Sequence, residues 1–139
     1  MSNVRRHKYT RCMLANSINP QLYPEWLAHV EPPAVKDAFI YLVGSAATLG
    51  ELSCHAQFKG VIRDFRFINA KDEQPFSFIV NRKWLLFCFR APSVRSGKYS
   101  RATLLKLFPE CRENQRNEWT VRLRSTEDVR SLLRYLAVR

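Results

Sequence analysis

Cysteine, histidine and carboxylate side chains are the groups that build metal sites, and three or four of them must converge on one ion. The only adjacent pair of strong ligands is Cys54 and His55, whose side chains would point apart on a helix or a strand. No C-x-x-C spacing occurs among the four cysteines, which are Cys12, Cys54, Cys88 and Cys111. The sequence therefore predicts no metal site and no cofactor, and a cytoplasmic location would keep the thiols reduced.

Catalytic motifs are also missing. The chain has no Gly-x-Ser-x-Gly elbow, and the Gly97-Lys98 pair lacks the earlier glycine of a phosphate-binding loop. The carboxylates within residues 64–73 lack the Glu-x-Lys companion that a metal nuclease would carry on its next strand. A metal-independent ribonuclease of the toxin type stays open, because it needs only basic side chains, tyrosine or histidine around a phosphate. Its candidate residues are His55 and Tyr99, but binding without catalysis is the favoured interpretation.

Basic residues are both numerous and clustered. The chain carries 23 Lys and Arg against 12 Asp and Glu, a net charge of +11, and its pI is about 10.0. Residues 1–11 hold four basic residues and residues 82–106 hold seven, and neither stretch contains an acid. A domain pI above about 9 with clustered cations is typical of nucleic-acid-binding proteins, because such a field attracts polyanions.

The cationic stretches predict where phosphates would bind. A basic hairpin and the loop after it, residues 82–101, would form a phosphate-contacting ridge, which a later strand and an N-terminal arm could extend. The predicted contact residues are Arg82, Lys83, Arg90, Arg95, Lys98, Tyr99, Arg101, Arg122, Arg124, Arg5, Arg6 and Lys8. The favoured hypothesis is a non-enzymatic module that binds DNA or RNA. The alternative is a small regulator or inhibitor that docks its basic face on an acidic protein.

Length and composition limit the architecture in which these residues can lie. With 139 residues, 46% of them hydrophobic, the chain predicts one ordered domain over residues 12–139 behind a flexible basic arm, residues 1–11. No apolar stretch approaches the roughly 18–20 residues that span a bilayer, so no membrane contact is predicted. Residues 1–20 contain no signal-peptide core, which favours a cytoplasmic location.

Helices are predicted from apolar periodicity and capping residues. Residues 12–32 predict a proline-rich lead-in anchored by Trp26, and a helix follows from Pro33 to a stop at Gly44. A capping-box spacing from Thr48 predicts a short helix over residues 49–56. Two later helices are predicted over residues 101–108, with Leu104, Leu105, Leu107 and Phe108 inward, and after Ser125.

Four strands are predicted, over residues 60–69, 76–80, 84–90 and 118–124, from β-branched and aromatic composition or from alternation. The middle two form a hairpin around Asn81, Arg82 and Lys83, and the aromatic residues Trp84, Phe87 and Phe89 are assigned to the core. The predicted fold is a single α+β domain, a mostly antiparallel sheet of about four strands with helices packed on one face.

Overall fold

The structure is a computed structural model that describes residues 22–46, 49–59 and 61–137. The predicted arm, residues 1–11, lies outside these ranges, together with Arg5, Arg6 and Lys8. The described residues form five helices: α1 (Leu22–His29), α2 (Pro33–Ser45), α3 (Ala91–Arg95), α4 (Arg101–Leu107) and α5 (Thr126–Ala137). They form six strands: β1 (Ser53–Lys59), β2 (Ile62–Ile68), β3 (Phe76–Val80), β4 (Leu85–Phe89), β5 (Arg112–Glu113) and β6 (Trp119–Leu123).

All six strands belong to one sheet in the order β1-β2-β3-β4-β6-β5, and every neighbouring pair is antiparallel. The α+β class and the central hairpin are confirmed. The prediction of about four strands is corrected to six, because β1 and the two-residue β5 were not recognised. In the described part of the chain, no helix is long and apolar enough to cross a membrane.

The prediction of a helix over residues 49–56 is wrong, since Ser53–Lys59 is an edge strand that pairs along its length with β2. Its register places Cys54 and Ala56 on one face and His55 and Gln57 on the other. This two-residue alternation is present in the sequence, whereas the predicted helix rests on the capping-box spacing alone. A local capping signal is therefore overridden where pairing with a neighbouring strand buries the segment.

Three further boundaries differ from the prediction. The lead-in contains helix α1, whose buried Leu22 and Trp26 are four residues apart and so share one helix face. Helix α2 runs through Gly44 and ends one residue later, because Gly44 does not take the left-handed conformation that would stop a helix. The predicted loop after β4 begins with helix α3, which has proline in its first turn.

Aromatic rings from the three central strands and the helices fill the core on one side of the sheet. Phe65 stacks on Phe78 at 4.6 Å between centroids, and Trp26 and Phe39 of the helices close over it at 5.1 and 6.0 Å. Helix α5 reaches the same side, where Tyr135 lies 6.4 Å from Phe89. Burial of these rings fixes which side chains of the sheet point into the core and which point to its other face. We call these the helix face and the polar face.

Candidate functional site

The register of the sheet places a chemically mixed surface on the polar face. One row across the strands consists of Asp64, Ile79, Leu86 and Arg122, each opposite the next. The adjacent row consists of His55, Arg66, Ser77, Cys88, Thr120 and Arg112. Both rows follow from strand alternation, because their in-strand neighbours are the aromatic and aliphatic residues that fill the core. The polar face therefore carries charges, thiol and hydroxyl groups beside a short apolar strip, Ile62, Ile79 and Leu86.

A continuous set of ion pairs and hydrogen bonds crosses this face, and we call it the polar network: Asp64, Arg66, Gln74, Arg90 and Glu118. Arg66 donates to the Asp64 carboxylate and to the Gln74 amide oxygen. Arg90 donates to the same amide oxygen at 3.2 Å and to the Glu118 carboxylate at 3.4 Å. The four charged side chains are between 3% and 18% exposed, so each pairing also compensates for lost hydration.

Glu118 is where the polar network meets the thiol of Cys88. Burial acts to raise the pKa of the Glu118 carboxyl, but hydrogen bonds from Asn114 and Arg90 and the charge of Arg90 outweigh it and hold the pKa below its usual value. Burial and the negative charge of Glu118 raise the pKa of Cys88 to about 12. The thiol, whose sulfur lies 3.7 Å from Glu118 Oε1, therefore stays protonated at neutral pH and is no nucleophile.

The polar face is concave at its centre. A cavity of about 440 Å³ lies over β2, β3, β4 and β6, with the loop before β6 on one side. Its wall combines the apolar strip with residues of the polar network, and Asn114 and Arg116 of the loop complete the rim. Asn114 is fixed there by its own hydrogen bonds with Glu118, so the rim has defined donors and acceptors.

Trp84 and two arginines form a second group at the end of the face where the β3–β4 turn lies. The guanidinium carbon of Arg122 is 4.3 Å from the centroid of the Trp84 ring, and that of Arg124 is 5.6 Å away. Both distances lie within the roughly 6 Å range of cation–π attraction. We call these three residues the Trp84 cluster. Arg124 also pairs with Glu110 at 2.5 Å, and the charges of Arg122 and Arg112 add to the lowering of the Glu110 pKa.

The hairpin tip adds two more cations next to the Trp84 cluster. Arg82 and Lys83 share a single carboxylate, that of Glu31, at 3.1 and 3.8 Å, and their side chains remain about two-thirds exposed. The Glu31 N–H donates to the Arg82 carbonyl at 2.8 Å, which ties the tip to the segment before α2. The pKa of His29 is lowered, first by burial and then by the charges of Arg63 and Arg82. This end of the sheet is therefore electropositive.

The other predicted contact residues lie elsewhere. At about 3.3 Å per residue of strand, Arg90 is roughly 20 Å from the hairpin tip, and its guanidinium is engaged in the polar network. Arg95 and Lys98 are exposed beyond β4, and Arg101 pairs with Glu113 at 3.7 Å. Tyr99 packs on the helix face, 5.3 Å from Phe89. The structure thus brings Arg82, Lys83, Arg122 and Arg124 together, and separates them from residues 90–101.

The residues named for a ribonuclease are also apart. His55 is buried on the polar face, with Nε2 3.4 Å from Ser53 Oγ, whereas Tyr99 lies on the helix face. They cannot act on one phosphate, and the ribonuclease hypothesis stays a prediction without a paired site. Within residues 22–46, 49–59 and 61–137, no group of three or more His, Cys, Asp or Glu residues could hold a metal ion.

Trp84 belongs to the candidate site, although the sequence assigned it to the core. Phe87 and Phe89 are fully buried, as predicted, but Trp84 is half-buried on the polar face. The two-residue alternation of a strand predicts the correct face for Trp84, because a residue three positions before Phe87 must lie on the face opposite to that of Phe87. Asp64, Gln74 and Glu118 were missed as partners of Arg66 and Arg90. The alternation of a strand places Asp64 and Arg66 on one face, but no local spacing links Arg90 to Glu118.

Comparisons with known proteins add nothing to this geometry. No family model matches the chain, and no curated protein and no solved structure matches it.

Proposed function

We propose that the protein is a nucleic-acid-binding module that holds phosphates with the cations at the hairpin end of its sheet. The observation that carries the proposal is the Trp84 cluster, an aromatic ring with two arginines against it, beside the exposed Arg82 and Lys83. Arginine and lysine neutralise phosphates, and an accessible aromatic ring offers a surface for a base. Together they provide the two kinds of contact that a nucleic acid needs.

The balance of charge at this end supports the proposal. Arg82 and Lys83 have one carboxylate between them, Arg112, Arg122 and Arg124 lie around Glu110, and the Asp128 carboxylate accepts from the Arg124 N–H at 2.8 Å. Five cations facing three carboxylates leave two positive charges for an incoming polyanion. The ion pairs with Glu31 and Glu110 are exposed, and exposed pairs contribute little stability, so phosphates can displace the carboxylates at low cost.

Salt-dependent binding tests the proposal. We expect the affinity for a labelled mixed-sequence oligonucleotide, measured by fluorescence anisotropy, to fall steeply as salt rises. The double variant Arg122→Ala/Arg124→Ala should bind more weakly, and its slope of log affinity against log salt should be smaller by roughly 1–2, since each phosphate contact contributes about 0.7–0.9.

The matched control is Arg130→Ala/Arg134→Ala, which removes the same net charge from exposed positions on helix α5. We expect this control variant to retain most of the affinity and most of the salt slope. A direct contact with phosphate depends on the position of the arginine, whereas general electrostatic attraction depends on the net charge. Equal losses in both double variants would reject this surface. If the wild-type protein binds an acidic peptide but no oligonucleotide, the result rejects a nucleic-acid ligand and supports an acidic protein partner.

Two further exposed cations, Arg95 and Lys98, are proposed as secondary contacts. Arg95 and Lys98 follow β4 at the far end of the sheet and have no ion pair among the described residues. A longer strand of nucleic acid could reach them, and the predicted arm, residues 1–11, would serve in the same way. Arg95→Ala/Lys98→Ala should therefore weaken the binding of long oligonucleotides more than that of short ones, in the same anisotropy assay.

A further inference from the structure

We infer that the polar face accepts single-stranded nucleic acid in preference to a duplex, with an unpaired base against the Trp84 cluster and the apolar strip. This rests on the proposed function and specifies its ligand. The starting observation is that the cations of the hairpin end have other kinds of side chain beside them on the polar face. Arg122 is opposite Leu86, which lines the cavity of the polar face, and the wall of that cavity is partly apolar.

The apolar strip is the first argument. Ile79 and Leu86 are opposite each other in the centre of the face, and Ile62 at the rim of the cavity is 41% exposed. Apolar side chains at the wall of a cavity gain by contact with a flat apolar surface. A nucleobase presents such a surface only when it is unpaired and unstacked, since the bases of a duplex cover each other.

The Trp84 cluster is the second argument. Arg122 lies beside Leu86 in the register and also lies against the Trp84 ring, so the strip continues without a break into a cation–π pair. Unpaired bases stack on aromatic rings and on arginine guanidinium groups. Each stacked base changes the affinity by about 5- to 150-fold. The same arginine would then lie within reach of the phosphate of that nucleotide.

The polar network is the third argument. Arg66, Arg90 and Glu118 line the cavity and are held in place by the polar network, with Gln74 accepting from both arginines, so the wall offers preset donors and acceptors. Such groups suit the hydrogen-bonding edge of an unpaired base, which a duplex uses for pairing. Arg66 and Arg90 in the wall are already paired with Asp64 and Glu118, so they offer little charge to a phosphate, and the backbone is expected to follow the arginines of β6 and β5.

A comparison of single and double strands tests the inference. The ligands are a labelled single strand of about 12 nucleotides and the duplex of the same sequence, at one low salt concentration. We expect the wild-type protein to bind the single strand at least 5-fold more tightly than the duplex. Trp84→Ala should lose about 5- to 150-fold for the single strand and little for the duplex, whereas Trp84→Phe should retain most of the affinity.

A second substitution covers the case in which Trp84→Ala does not fold. Ile62→Asp removes apolar contact at the exposed rim, and Ile40→Asp, 56% exposed on helix α2, is its matched control. Only Ile62→Asp should weaken single-strand binding. Binding of both ligands with equal affinity, or tighter binding of the duplex, overturns the inference while the proposed function stands. Binding of neither ligand overturns the proposed function as well.

Discussion

Glu118 connects the thiol, an arginine and a loop of the polar face through one carboxylate. Its oxygens accept from Asn114 at 3.2 Å and from Arg90 at 3.4 Å, and Cys88 donates to it at 3.7 Å. Cys88 and Arg90 come from β4 and the residue after it, whereas Asn114 comes from the loop before β6. Removal of a single negative charge is therefore expected to change the behaviour of groups on β4 and in the loop before β6 together.

Glu118→Gln should make Cys88 more reactive toward alkylation. The negative charge of Glu118 helps to keep the Cys88 pKa near 12, at which roughly one thiol in a thousand is ionised at about pH 9. Without that charge, Arg90 stabilises the thiolate, and the rate of iodoacetamide labelling of the folded protein should rise. The rate is read from the peptide that contains Cys88 by mass spectrometry. Glu113→Gln, which changes a carboxylate paired with Arg101, is the control and should leave the rate unchanged.

The same substitution should alter the response of stability to acid. The folded-state pKa of Glu118 is lowered, so its ionised form stabilises the fold above its unfolded value of 4.5, and that contribution is lost as pH falls through the folded pKa. Glu118→Gln lacks this contribution at every pH. Urea unfolding at neutral and at acid pH should show that the wild type is more stable than the variant when neutral and that the difference narrows in acid. A gap that widens in acid contradicts the assignment.

At the scale of elements, the central hairpin and the helices with complete apolar stripes were predictable, because period and turn residues agree there. Strands β3 and β4 and helix α5 appear where they were expected. Helix α1 was missed because its stripe has only two buried residues, and β1 because a capping spacing competed with its alternation. Leu105 and Leu107, predicted inward, are 37% and 43% exposed, since the short helix α4 buries only the face of Leu104.

The start of helix α4 provides the prediction at this scale. Ser100 Oγ accepts from the Thr103 N–H at 3.3 Å, and the Ser100 N–H donates to Tyr135 Oη at 2.6 Å. Ser100→Ala removes the cap and should cost about 1 kcal/mol in the free energy of unfolding, measured by urea denaturation. Ser100→Asp should restore the stability, because aspartate also caps and its charge suits a helix N-terminus. Equal losses in the two variants would show that the cap does not contribute.

For the whole molecule, the sheet separates stability from the proposed binding. The aromatic rings of the helix face interlock with α1, α2 and α5, while the polar face carries the polar network, the apolar strip and the Trp84 cluster. The register that divides these roles was only partly accessible from sequence, since it depends on which strands become neighbours. Strand β4 pairs with β6, although the two strands are not consecutive in the chain. This pairing brings Arg122 and Arg124 to Trp84.

Substitutions of two adjacent residues of β3 test whether stability and binding depend on different faces of the sheet. Phe78 is fully buried on the helix face and Ile79 is half-buried on the polar face. Phe78→Ala should lower the free energy of unfolding by about 3–5 kcal/mol, because it leaves a cavity among stacked rings. Ile79→Ala should cost clearly less, since water already reaches its side chain, yet it should weaken single-strand binding measured at a temperature where both proteins are folded. Two results would show that the faces of the sheet do not have separate roles. One is an equal loss of stability in the two variants, and the other is a loss of binding in each variant in proportion to its loss of stability.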